Sequence, residues 1–329
     1  MNKKAKIAIG IIALLIVAGA AFGIGYLGNR DKGAVKSGSN MLAEDDSDSN
    51  DIQYVTYDGV KYEYNTDLQS ILFLGVDKKE EMKVQENAGR GGQSDCIILF
   101  VMNKADKSTT MLQISRNSMV DLELYDISGN YQATEKGQIA LQYAYGDGEK
   151  KSCQLSKDAV SKLLFDIPIK SYIALNIDGI SSINDAIGGV EITVPQDYTG
   201  IDPAFVQGST IILNGEQAEK YVRYRDINVM GSNEGRMERQ TQFLNAMMSQ
   251  AKSAVADDGY NRLYSAAKPY MVTDMSVDEL KALSDYDMSE ESLKVPGQET
   301  AGAEHDEFYV NDEELQKLIL KLFYKPLES

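Results

Sequence analysis

Histidine, cysteine and proline are scarce in this 329-residue chain, at one, two and six residues. The single histidine, His305, lies in an acidic stretch with Glu304, Asp306 and Glu307. One histidine excludes Ser-His-Asp and Cys-His catalysis in their usual form, and multi-histidine zinc sites with them. Any catalysis therefore runs on carboxylates, arginines, lysines and a hard metal ion. Two cysteines are too few for a disulfide-stapled scaffold. Cys96 sits in an apolar run and reads as a small buried residue, with a Cys96–Cys153 disulfide open to an exported protein. Positive charge is short as well: 33 basic against 50 acidic side chains give a formal charge of −17. Nucleic acid needs a net basic footprint and is excluded as a partner. A small anionic ligand gripped by a local arginine cluster is not.

What is present begins with a long apolar run. Ile7 to Gly28 is 22 residues without a charge or a proline, about 33 Å of helix at about 1.5 Å per residue, enough to cross a membrane core of about 30 Å. Lys3, Lys4 and Lys6 precede it, which places the N-terminus in the cytoplasm and the bulk of the chain outside the cell. A cleaved signal peptide, with Ala18-Gly19-Ala20 as the small-residue site, is the rival. The run exceeds a usual signal-peptide core, so residues 1–30 read as a cytoplasmic tip and single transmembrane anchor. Residues 31–51 are polar and carry Glu44, Asp45, Asp46, Asp48 and Asp51, a flexible acidic linker.

Apolar residues make up 43% of the chain, enough to bury a core from about Ile52 onward. Ser70–Val76, Cys96–Met102 and Thr109–Ser115 are short continuous apolar runs, the pattern of strands covered on both faces. Helical spacing follows at Ser156–Phe165, then a strand at Tyr172–Ile177, a helix near Ile180–Ile187, a break at Gly188-Gly189 and a strand at Val190–Val194. Asn214–Tyr224, Gly235–Ala254, Ser276–Ser284 and Asp312–Phe323 read as helices, none interrupted by proline. Strands alternating with helices predict an α/β fold. The expected division is a main domain at 52–254 and a C-terminal extension at 255–329 packed on it.

In an open α/β sheet, ligands bind beyond the carboxyl ends of the strands. Asp77 and Arg116 fall at such ends, and Asp95 reaches the same edge if its strand runs antiparallel. Two acids there suit Mg²⁺ or Mn²⁺, which take carboxylate and phosphate oxygens. Taken singly, each acid is equally a strand-end residue capping a loop. Arg223, Arg225, Arg236 and Arg239 fall within 17 residues of a chain that is otherwise acidic. Guanidinium forks match phosphate oxygens in pairs, although surface pairing with Glu234 and Glu238 is the plain alternative. Gly89-Arg90-Gly91-Gly92 matches neither a P-loop nor a dinucleotide fingerprint.

Several segments together resemble the LytR-CpsA-Psr family. They are Ile71–Asp77, Gln93-Ser94-Asp95, Ile114-Ser115-Arg116, Tyr143–Gly146, Asp185–Glu191 with Val194-Pro195, Leu213–Ala218, and Tyr221–Arg225 followed by Gly235–Gln240. The resemblance implies an α/β/α sandwich with a mixed sheet and a hydrophobic tunnel for a polyprenyl chain. It implies a phosphotransferase that moves a glycopolymer, such as teichoic acid or capsule, from polyprenyl pyrophosphate onto peptidoglycan. Under it, Asp77 and Asp95 match metal-binding positions. Arg116, Arg223, Arg225, Arg236 and Gln240 match catalytic, pyrophosphate-contacting ones, with Arg90, Arg239 and Gln138 as substrate-binding candidates. Ile167–Leu175 and Phe243–Met248 are candidates to line the tunnel.

Five positions depart from the family pattern: Gln93, Asn117, Val120, Gln138 and Asn233. Arg90 is placed to stand in for the arginine missing at 93, and Asp226 for the acid missing at 233. These departures keep two other functions open. One is a non-catalytic regulator that binds lipid pyrophosphate or wall polymer; the other is a polyprenyl-pyrophosphate hydrolase.

Overall fold

A strand covered on both faces must be apolar at every position, and the run ending at Val76 is. The computed structural model describes residues 54–327 apart from 86–88, 127, 227–231, 255–258 and 303–304. The chain opens with β1 (Tyr54–Tyr57), β2 (Val60–Tyr64), β3 (Leu68–Val76), β4 (Ser94–Asn103), β5 (Ser108–Ile114), β6 (Met119–Tyr125) and β7 (Tyr131–Gln138). A 3-10 turn at Ile139–Tyr145 leads to α1 (Lys150–Leu163), β8 (Ser171–Asn176), α2 (Asp178–Ala186), β9 (Val190–Thr193) and β10 (Thr210–Leu213). Then come α3 (Gly215–Arg223), α4 (Ser232–Ala254), α5 (Gly259–Ala267), β11 (Met271–Thr273) and α6 (Val277–Ala282). The chain closes with β12 (Asp287–Lys294), β13 (Gly297–Ala301), β14 (Asp306–Val310), α7 (Asp312–Phe323) and β15 (Tyr324–Pro326).

The central sheet is mixed, in the order β11-β8-β3-β4-β5-β12. β3 runs parallel to β8 and antiparallel to β4, and β4 is antiparallel to β5. The carboxyl ends of β3, β5 and β8 therefore share one edge with the start of β4. Alternation of side chains across each strand divides the apolar residues between two cores. Ile71, Phe73, Ile98 and Phe100 face α2, α3 and α4 through Ile180, Ile183, Tyr221, Phe243 and Leu244. Leu72, Leu74, Ile97 and Leu99 face α1 and α7 through Val160, Ile319 and Phe323. The fold is α/β, with helices on both faces of the sheet.

The cysteines fall on opposite faces, Cys96 in the first core and Cys153 in the second, and both are free. The disulfide left open by the sequence does not form. The proposed tunnel lining is split in the same way. Ile173 and Leu175 join Phe243, Leu244 and Met247, whereas Ile167, Ile169, Tyr172 and Ala174 lie beyond the sheet. Only the first group can border one channel. The segment set apart as a C-terminal extension supplies both outer strands of the sheet, β11 and β12, and β15, which pairs with β2. Among the described residues no helix is long and apolar enough to cross a membrane; the expected anchor and acidic linker lie outside them.

Candidate active site

The edge shared by β3, β4 and β5 carries the two aspartates and the first arginine. A register shift at Gly75 and Val76 turns the end of β3, and the loop returning to β4 passes against it. Gly92, at φ +90°, makes this approach possible. A Cβ there would meet Lys78 Cγ and Val76 Cγ1 at 2.9 Å and Asp77 Oδ1 at 3.0 Å, so only glycine fits. Next in sequence, the Gln93 backbone N–H donates to Asp77 Oδ1 at 2.6 Å, and the Gln93 carbonyl accepts from the Asp77 and Asp95 N–H groups at 3.0 and 3.1 Å. The Gln93 side-chain oxygen accepts from Arg116 Nη2. One glutamine thus ties together both aspartates and the arginine.

Asp95 is the centre of the constellation. Its side chain is 1% exposed, and Arg116 Nη1 lies 3.1 Å from its Oδ1. That pair is close without being aligned as a hydrogen bond, so both Asp95 oxygens are buried with no donor. Burial pushes its carboxyl above the ordinary range, against the pull of Arg116, Arg236, Arg225 and Arg223, in that order. Arg116 follows β5, Arg223 ends α3, Arg225 follows it, and Arg236 lies in the first turns of α4; the charge of all four acts on Asp95. Arg236 is completely buried; its Nη2 donates to Asn233 Oδ1 at 2.6 Å and to the Asp95 carbonyl at 3.5 Å, while Nε and Nη1 have no partner. Burial pulls its guanidinium below the ordinary value. A cavity of about 10 Å³, lined by Asp95, Gln113, Arg116, Asn233 and Gln240 among others, lies beneath. Its volume is about that of a single water molecule.

Asp77 is half-buried, and its carboxyl is pushed up to about 6, first by burial and then by the charge of Asp95. The fold therefore favours the protonated group. Its contribution to stability is fully present below the ordinary value of 3.8 and is lost as pH rises through about 6. In metal-free protein the loss between pH 5 and 7 is on the order of 1 kcal/mol. Melting should fall by about 2–4 °C more in the wild type than in Asp77→Asn over that interval. Equal falls in the two proteins would contradict this placement of Asp77.

The donor set fits a hard divalent ion. It is oxygen only, it includes two buried carboxylate oxygens without donors, and it offers two acids. Among the described residues no group of three or more His, Cys, Asp or Glu side chains could hold a metal. Mg²⁺ is commonly held by one or two carboxylates, with substrate phosphates and water completing its shell.

Most of the remaining candidates have partners of their own. Arg223 Nη1 donates to Glu219 Oε1 at 3.0 Å, and Arg225 donates from Nε to Ser232 Oγ at 3.1 Å and from Nη2 to Asp306. Gln240 is buried and donates to the Val222 carbonyl at 3.3 Å. Arg239 is committed elsewhere: it donates to the Tyr221 and Tyr224 carbonyls and lies over the Tyr198 ring, 5.0 Å from its centre. Gln138 is buried and gives its amide to Asn117 Oδ1 and the Asp306 carbonyl, each at 2.9 Å. Arg90 is exposed, its charge reaching Lys78, and the Gln93 side chain accepts from Arg116 in its own right. Asp226 is exposed, and Arg225 pairs with Asp306, from β14. Val120 is ordinary core. Sequence reasoning treated Gln93 and Asn233 only as losses and missed Asp306; the last could be found only by knowing that β14 crosses this edge.

The LytR_cpsA_psr family model matches residues 29–322. A protein of Enterococcus faecalis named polyisoprenyl-teichoic acid–peptidoglycan teichoic acid transferase TagU is 30% identical over 217 residues, 65% of this chain and 64% of that protein. A Bacillus cereus protein of the same name is 26% identical over 319 residues, 95% of this chain and 94% of that one. The solved structure of a Streptococcus agalactiae protein superposes with a TM-score of 0.64 at 24% identity, covering 80% of this chain and 92% of that one. With the aspartates and arginines gathered at one sheet edge, and a family model that spans nearly the whole chain, the protein belongs to the LytR_cpsA_psr family.

Proposed function

We propose that this chain is a cell-envelope phosphotransferase that moves a glycopolymer of the teichoic acid class from a polyprenyl-pyrophosphate carrier onto peptidoglycan. The observation that carries the reading is buried Asp95 with Arg116 Nη1 3.1 Å from its Oδ1 and Arg236 Nη2 3.5 Å from its carbonyl, with Arg223 and Arg225 close enough for their charge to act on it and Asp77 alongside. Four cations drawn from segments more than 100 residues apart call for a multiply charged anion. The names of the relatives supply its class.

Transfer requires the acceptor hydroxyl oxygen to bond to the phosphorus next to the polymer. The bond from that phosphorus to the bridging oxygen breaks, its electron pair leaves with polyprenyl phosphate, and the hydroxyl proton passes to that departing phosphate or to solvent. Little covalent work falls to the protein, which must align the diphosphate and neutralise its charge. Arg116 and Arg236 are buried, so their donors act without competition from water. Gln93 holds Arg116 and the Asp77 backbone in register. Mg²⁺ or Mn²⁺, held by Asp77 and Asp95, would neutralise charge on the diphosphate. In this reading the lipid chain would lodge among the apolar residues around Phe243, Leu244 and Met247, and the apolar run within residues 1–30 would anchor the chain in the membrane with this domain outside.

The test incubates the full chain in detergent with Mg²⁺ and a polyprenyl-pyrophosphate-linked sugar, with and without peptidoglycan fragments. Polyprenyl phosphate released only with acceptor is the expected result. Release without acceptor would make the protein a hydrolase. Binding with no release in either case would make it a regulator.

A further inference from the structure

The only histidine sits beside an aspartate that no motif called for, and that aspartate faces Arg225. We propose that Asp306 is a built-in competitor for the diphosphate: a carboxylate that holds Arg225 until a phosphate oxygen displaces it, and so sets how tightly the site takes its ligand. The inference rests on the functional reading above and adds to it a residue that tunes affinity.

The β13–β14 hairpin is fixed to the site by its backbone and by residues other than Asp306's carboxylate. The Phe308 N–H donates to the Asn117 carbonyl at 2.9 Å, and Asn117 Nδ2 donates to Glu299 Oε1 at 2.5 Å. Ser118 and Phe308 form a parallel bridge. Gln138 donates at 2.9 Å to the Asp306 carbonyl, not to its side chain. With its main chain held this way, the Asp306 carboxylate projects onto Arg225; the two side chains are 16% and 9% exposed. Arg225 also gives its Nε–H to Ser232. Its guanidinium fork is thus already matched to an anion, in a group whose field reaches Asp95.

Three of the four converging arginines are met by carboxylates of the chain: Arg116 by Asp95, Arg223 by Glu219 and Arg225 by Asp306. Asp95 is buried deepest, and Glu219 lies one helical turn from Arg223 and is shared with Lys79. Asp306 is only part-buried and reaches in from β14, 81 residues along the chain from the arginine it meets. A ligand that needs Arg225 must first compete with it, which lowers apparent affinity by the fraction of time the pair is open. Removing the carboxylate removes that competition without touching a donor.

The experiment measures binding of inorganic pyrophosphate with Mg²⁺ to the full chain by calorimetry. Asp306→Asn keeps the carbonyl that anchors the hairpin and should bind about three- to tenfold tighter. Asp306→Ser, which also discharges the position, should show the same gain, so a folding defect in one variant does not decide the outcome. Glu307→Gln removes an equal charge one residue away, where the partner is Tyr309, and should bind as the wild type does. In an Arg225→Ala background the gain from Asp306→Asn should vanish. Unchanged or weaker binding in both Asp306 variants, with Arg116→Ala clearly weakened, overturns the proposal while leaving the site intact. Wild-type binding in Arg116→Ala shows instead that the site is misassigned, and the proposal falls with it.

Discussion

Asp95→Asn is expected to slow transfer by about 10²–10³-fold and to leave the melting temperature unchanged or raised. The two halves of this result have one cause. Asp95 is 3% exposed, neither of its oxygens receives a hydrogen bond, and the fold shifts its carboxyl toward the neutral form. A group held this way costs stability when ionised. The neutral isostere fills the same space without that cost. The ionised form is nevertheless what a divalent ion and the arginine array require, and losing one well-placed electrostatic partner of a transition state costs about 10²–10³ in rate. Addition of Mg²⁺ with pyrophosphate should raise the melting temperature of the wild type and not of the variant. A variant that is destabilised by several degrees and still turns over at the wild-type rate would make Asp95 a structural acid and would sink the assignment.

Much of this was legible in sequence, and the parts that were share a physical character. β3, β4 and β5 are continuous apolar runs because both faces are covered, and each observed strand contains its sequence-predicted core within a few residues. α3 is announced by its own N-terminus: Asn214 accepts from the Gln217 N–H and Gln217 returns the bond, a capping box written in four residues. The antiparallel turn that brings Asp95 to the edge occupied by Asp77 followed from the apolar pattern and one assumption about direction. Local chemistry fixed these elements, so local reading found them.

What escaped depends on distant pairing. β12 carries Asp287, Glu290 and Glu291 and has no element assigned to it from sequence within the C-terminal extension, yet it is the outer strand beside β5. The β13–β14 hairpin is equally polar, and its place over Asn117 and Gln138 is set by hydrogen bonds across more than 160 residues. The positions that departed from the family pattern look like losses one at a time. Asn117 and Gln138 bond each other and then the hairpin, Asn233 holds Arg236, and Gln93 holds Arg116. Pairwise compensation of this kind has no one-dimensional signature.

Arg236 and Arg239, one turn apart on α4, should fail in opposite ways. Arg236→Met should lower turnover by about 10²–10³-fold while stability stays within about 2 kcal/mol of the wild type. Its guanidinium is fully buried with two nitrogens unpartnered, so removing the charge relieves desolvation. Methionine fills most of the volume, and the loss of Asn233's donor partly offsets the gain. Arg239→Ala should do the reverse. Its guanidinium accepts no role near Asp95; it caps carbonyls at the end of α3, Tyr221 and Tyr224, and stacks on Tyr198. Two bonds from a charged donor to helix-end carbonyls, with a cation–π contact, are together worth about 3 kcal/mol. Melting should drop by about 6–12 °C, with turnover of the folded protein reduced less than about tenfold because Arg223 and Arg225, carried by the end of α3, are only loosened. Thermal melts and single-turnover rates on both variants decide the matter. Should Arg239→Ala melt as the wild type and lose its rate, the arginine that meets the diphosphate would be the outer one, and the buried guanidinium would be the scaffold.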